Sequence, residues 1–131
     1  MLSKEISTLT DRYACENAAK KLKDILKNDW YQTAETVGVI KPILTRLCVK
    51  YLLEERRGSR ALDSVANFHL SNGARLDRIN WLADLSENGI KWSYGIMVNY
   101  YYQLSDIEKN HEEYVTKSHI VASRGVKSLL K

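Results

Sequence analysis

The chain has 131 residues, 44% of them hydrophobic and 27% charged, with a formal net charge of +4. That length suits one modest domain, and the balance of apolar and charged residues excludes a disordered chain. The basic residues are spread along the sequence rather than gathered in a stripe, which speaks against a nucleic-acid binder. No apolar run approaches the roughly 20 residues of a membrane-spanning helix.

In chain order, Thr10 with Asp11 can cap a helix running to about Leu26. On it Ala14, Ala18, Leu22, Ile25 and Leu26 share one face, while Lys20, Lys21, Lys23 and Asp24 form a solvated one. "NDWYQTAETVGV" reads as a break plus a short helical turn. Pro42, the only proline, suits the first turn of a second helix, where its missing N–H does no harm. Ile43, Leu44, Leu47, Cys48, Tyr51 and Leu52 give that helix a wide apolar stripe, and Gly58 after "EERR" is its expected stop.

Beyond Gly58 the pattern changes to period 2. In "VANFHL", a first strand, Phe68 and Leu70 point one way and Asn67 and His69 the other. "SNG" signals a turn, "ARLDRINWLA" a second strand and "IMVNYYYQL" a third, with "DLSENGIKWSYG" as the loop between those two. Ser118 is the expected cap of a last helix, from about Ile120 to Leu130. Helices, then strands, then a helix predict an α+β fold with a small, mainly antiparallel sheet, in a single domain over residues 1–131. Three strands would leave a sheet edge and a face uncovered, so the sheet reads as part of a larger one.

His69 is the first chemical candidate, because histidine can give or take a proton near neutral pH. Against this, a strand histidine is as a rule structural or simply exposed. In "NYYYQ", Tyr100 and Tyr102 share a face and Tyr101 takes the other. Such a stripe is commonly packing. The sharper reading is a phenol aimed into a cleft, able to orient a carboxylate or a thioester oxygen, and close to His69 if the second and third strands pair. Cys15 and Cys48 lack a CxxC partner and read as buried reduced thiols. His111 and His119 lack metal-pair spacing and read as surface residues. No GxGxxG, P-loop or GxSxG occurs. "MLSKEISTLTDRY" has no apolar signal core, so the expected compartment is the cytoplasm.

The run "PILTRLCVKYLLEERRGSRALDSVANFHLSNGARLDRINWLADLSENGIKWSYGIMVNYYYQL" carries "RLC", "VANFHL-NGA", "RINWLAD-S" and "G-MVNY-Y" in order. With these motifs the chain, from about Asp29 to Leu130, closely resembles the C-terminal part of malonyl-CoA decarboxylases. "DIEKNHEEY" resembles their bacterial members. The resemblance implies part of an acetyltransferase-like (GNAT-like) catalytic domain. It implies conversion of malonyl-CoA to acetyl-CoA and carbon dioxide in fatty-acid metabolism, with no metal or organic cofactor. His69 matches the family's catalytic histidine, the general acid that protonates the carbanion or enolate. Tyr102 matches an active-site tyrosine. Asn67 and Asn72 flank the histidine motif and are implied, more weakly, to contact substrate.

The family pairs its histidine with an upstream serine, in a segment that also cradles coenzyme A. Nothing before Asp29 resembles that segment, and Ser3, Ser7, Thr8 and Thr10 are better read as caps. The expectation is therefore a C-terminal piece with little or no activity by itself. Its expected partners are malonyl-CoA and either a second copy or a complementary chain carrying the other half of the site, with no nucleic acid and no membrane. The competing reading is a catalytically inactive remnant that pairs with a longer chain through its open sheet edge. Acetyl transfer, by analogy of fold alone, is weaker.

Overall fold

The computed structural model describes residues 3–13 and 16–130. The chain divides into two compact units, Met1–Leu47 and Cys48–Lys131.

In the first unit, helix α1 spans Ser3–Tyr13 and α2 spans Ala18–Leu26. The one long helix expected here is thus two. Thr10 and Asp11 lie inside α1, and the cap is Asn17, whose side chain accepts from the Lys20 N–H at 3.1 Å. Ala18 and Leu22 are buried as their spacing predicted, whereas Ala14 and Cys15 lie outside the described residues. A 3-10 turn at Trp30–Gln32 supplies the expected break. Helix α3, Ala34–Glu54, then runs straight through Pro42. The proline is therefore not in a first turn. Its missing N–H deprives only the Gly38 carbonyl, and both residues are exposed. Glu5, buried on α1, is met by the Arg46 guanidinium of α3 at 3.1 Å, so its charge is not left alone in the interior.

The second unit begins with the last turns of α3. Strands β1 (Arg56–Arg57) and β2 (Arg60–Ala61) form a minimal antiparallel hairpin. Gly58, at φ +63°, sits in its turn rather than ending a helix, because α3 has already stopped at Glu54. The largest departure follows. "VANFHL" is not a strand but lies in helix α4, Ser64–Ser71. Asp63 caps it, its Oδ2 accepting from the Ala66 N–H at 2.9 Å. Ala66 and Leu70, four residues apart, enter the core together. Phe68 and Leu70 consequently do not share a face: Phe68 is 62% exposed and Leu70 1%.

Strand β3 (Arg75–Asn80) pairs antiparallel with β4 (Met97–Tyr101), so the second and third predicted strands do meet. The register places Leu76 opposite Tyr100 and Arg75 opposite Tyr101, with a bulge between Leu76 and Arg78. On the far side of β3, Leu76 forms a single parallel bridge with Ala122. The segment between the strands contains a short helix, α5 (Glu87–Ser93), capped by the Ser86 hydroxyl, and is not a plain loop. "DIEKNHEEYVTK" provides α6, Ile107–Lys117, which the period-2 reading passed over. Ser118 terminates α6 in a left-handed conformation, and it is Ser123 that caps the final helix α7, Arg124–Ser128. The unit's core gathers Val49, Leu52, Ala66, Leu70, Leu76, Tyr114, Ile120 and Val126. Helices with two small antiparallel ladders make the α+β class that the sequence predicted.

Candidate functional site

The site lies entirely in the second unit, where the end of α4 meets the end of β4. His69 occupies the last turn of α4, half-buried. Its Nδ1 lies 2.6 Å from the Tyr102 hydroxyl, one residue beyond β4. Its ring face stacks on Tyr100, with centroids 4.4 Å apart and planes 18° from parallel. Phe68 presents an edge to the same imidazole at 5.2 Å. Nε2 has no hydrogen-bond partner among the described residues. The period-2 geometry of β4 thus sends Tyr100 and Tyr102 to the histidine, as their alternation predicted. Tyr101 faces away, its ring under the Arg75 guanidinium at 4.6 Å. Arg75 is held in turn by Asp77 at 2.9 Å and Gln103 at 2.8 Å.

Behind the pair sits a cluster that the sequence did not single out. Asp63, besides capping α4, accepts from the Tyr51 hydroxyl at 3.4 Å. Burial pushes the Tyr100 phenol upward, and the Asp63 carboxylate adds to the effect. The Tyr51 phenol is raised by the same two causes in the same order. Burial, then Asp63, lifts the Cys48 thiol from 9.0 to about 11. These groups are held neutral; Cys48 is a thiol kept protonated, but it is only partly buried rather than fully buried as expected.

The two flanking asparagines are engaged within the chain. The Asn67 Oδ1 accepts from the Tyr114 hydroxyl at 2.7 Å, and that hydroxyl accepts from the Ala61 N–H at 2.7 Å. Asn72 follows α4, its Nδ2 donating to the Phe68 carbonyl at 2.9 Å. Neither is hydrogen-bonded to the His69 ring. His111 and His119 are exposed, as expected; His111 Nδ1 contacts the Ser71 carbonyl at 2.5 Å and His119 faces Glu113 at 3.7 Å. Among the described residues no three of His, Cys, Asp and Glu gather into a group that could hold a metal ion. No helix among them is long and apolar enough to cross a membrane.

An imidazole with one nitrogen tied to a phenol and the other unengaged is suited to moving a proton. The phenol beside it is suited to meeting an oxygen on which negative charge develops. Comparison with known proteins bears on which reaction could use this. The family model for the malonyl-CoA decarboxylase C-terminal domain matches residues 1–131. A mitochondrial malonyl-CoA decarboxylase of the goose Anser anser anser is 42% identical over 127 residues, covering 96% of this chain and 24% of the relative. That of Rattus norvegicus is 38% identical over 128 residues, covering 97% and 25%. Among solved structures, malonyl-CoA decarboxylase from Rhodopseudomonas palustris superposes with a TM-score of 0.79 at 38% identity, covering 98% of this chain and 28% of that one. The Cupriavidus metallidurans enzyme gives 0.80 at 28% identity, covering 98% and 32%. The chain spans about a quarter of the length of the curated relatives it matches.

Proposed function

The chain belongs to the malonyl-CoA decarboxylase C-terminal domain family, and on that premise we propose that it supplies the proton donor for decarboxylation of malonyl-CoA to acetyl-CoA and carbon dioxide. The observation that carries the proposal is the 2.6 Å contact between His69 Nδ1 and the Tyr102 hydroxyl, with Nε2 unengaged among the described residues.

The bond between the α carbon and the departing carboxylate breaks. Its electron pair passes into the thioester as an enolate, and carbon dioxide leaves. Protonated His69 then gives the Nε2 proton to the α carbon, completing the acetyl group. In that acid form Nδ1–H donates to the Tyr102 oxygen, which frees the phenol's own proton to point at the enolate oxygen. A donor so placed contributes about 3 kcal/mol to the barrier reduction, and a positioned general acid about 10²–10⁴-fold in rate. One such donor is modest help for an enolate. For that reason the 131 residues alone are expected to turn over malonyl-CoA poorly, with the remaining donors coming from other parts of a larger acetyltransferase-like domain. In this reading the two-stranded β3–β4 ladder is one edge of that domain's sheet, and malonyl-CoA is the small-molecule partner, acting in fatty-acid metabolism.

The test is a chimera in which this chain replaces the corresponding C-terminal region of the Rhodopseudomonas palustris enzyme. The expected result is acetyl-CoA and carbon dioxide released in equal amounts from malonyl-CoA. A folded chimera that releases neither would overturn the proposal.

A further inference from the structure

Of the contacts on the His69 imidazole, Phe68 meets it only edge-on at 5.2 Å, while the bond to Tyr102 and the stack on Tyr100 do different work. The terminal torsion of a histidine is broad, so a side chain at a helix end does not fix its own ring plane. The bond to Tyr102 fixes which edge of the ring carries the contact. A single hydrogen bond leaves the ring free to rock about that contact. The ring lying parallel to the imidazole plane is that of Tyr100, stacked at 4.4 Å and 18°.

Tyr100 is well placed to do so. It packs against the core, and its register partner on β3 is Leu76, one of the most deeply buried side chains. Its own ring is therefore anchored by the sheet rather than by the histidine. Its hydroxyl has no hydrogen bond among the described residues. Burial, with Asp63, Cys48 and Tyr51 nearby, keeps that hydroxyl protonated. The ring, and not the phenol's acid–base chemistry, is what Tyr100 offers to its neighbour.

We propose that Tyr100 is the positioning residue for His69, its ring face holding the imidazole in the plane that keeps Nδ1 on Tyr102 and leaves Nε2 free for proton transfer. The use of Nε2 rests on the functional reading above; the clamp itself does not. The side chain most intimately stacked on the histidine would then be replaceable by phenylalanine but not by an aliphatic residue.

The test is imidazole nitrogen and proton NMR on the ¹⁵N-labelled chain, comparing the unaltered protein with Tyr100→Phe and Tyr100→Leu. Dispersed amide spectra serve as the folding control. In the unaltered chain and in Tyr100→Phe, the His69 ring protons are expected upfield of free histidine, from the ring current of the stacked face, and one neutral tautomer dominates. In Tyr100→Leu the upfield shift is lost and the two tautomers average. Loss of the single tautomer in Tyr100→Phe would assign the role to the hydroxyl and overturn the proposal. So would a folded Tyr100→Leu chain that keeps it. If Tyr100→Leu does not fold, unshifted His69 ring protons in the unaltered chain overturn it, and upfield protons retained in Tyr100→Phe sustain it. None of these readouts needs turnover, so an inactive chimera would sink the decarboxylase reading without touching this one.

Discussion

Removal of one oxygen atom, Tyr114→Phe, tests how α6 holds the helix that carries His69. Tyr114 is 3% exposed, on α6. Its hydroxyl accepts from the Ala61 N–H and donates to the Asn67 Oδ1, both at 2.7 Å, so it links α6 to β2 and to α4. Ala61 is also buried. Phenylalanine fills the same space and adds no clash. It leaves a buried backbone N–H without this acceptor, at about 1–3 kcal/mol, and removes one ordinary hydrogen bond, worth about 1 kcal/mol. The expected loss is about 2–4 kcal/mol, read from urea unfolding by circular dichroism with an unchanged denaturant slope. A loss below about 0.5 kcal/mol would show that the Tyr114 hydroxyl does not hold α6 to β2 and α4. The double variant with Asn67→Ala sharpens the test, because two residues sharing a bond are non-additive by about 0.5 kcal/mol or more. Strict additivity would mean that Asn67 does not depend on Tyr114, leaving its amide available to a substrate.

Three further outcomes follow from the same unit. Folded Cys48 keeps its proton between pH 9.0 and about 11, where the unfolded chain releases it, so stability should fall as pH rises through that window. At pH 8 its thiolate fraction is lower than a free thiol's by about 100-fold, and alkylation of the Cys48 peptide, followed by mass spectrometry, should be slower to match; modification at the free-thiol rate would contradict the burial. Gly73 adopts φ +90°, and a Cβ there would lie 2.3 Å from the Ile107 carbonyl oxygen. Gly73→Ala should therefore cost about 2–4 kcal/mol through strain and a backbone clash at the junction of α4 and β3. A melting temperature unchanged by that substitution would show that the turn can move aside.

What the sequence disclosed follows from the length of each signal. β3 and β4 were legible because Leu76 and Ile79, and Val98 and Tyr100, sit in runs rich in strand-forming residues bounded by Gly and Asn turns. The face shared by Tyr100 and Tyr102 followed from that alternation, and with it their meeting with His69. The strand assigned to "VANFHL" failed because six residues fit both periods. The decisive signal was Asp63, an N-cap two residues earlier, which pairs with the four-residue spacing of Ala66 and Leu70. The same blindness to caps hid Asn17 and Ser123, and made Ser118 the start of a helix when it is the end of one. The cluster of Asp63, Tyr51 and Cys48 could not be read at all. Its members come from α3 and the loop before α4, and only tertiary packing brings them behind Tyr100.

The most direct measurement is kcat and KM for malonyl-CoA in the chimera, before and after His69→Gln, which retains a polar side chain but cannot act as an acid at neutral pH. A fall in kcat of about 100-fold or more is expected, with KM little changed, because the lost group acts on the transition state rather than on bound substrate. A variant whose kcat stays within a few fold of the parent would show that the proton comes from elsewhere. The contact between His69 and Tyr102 would then be packing rather than chemistry.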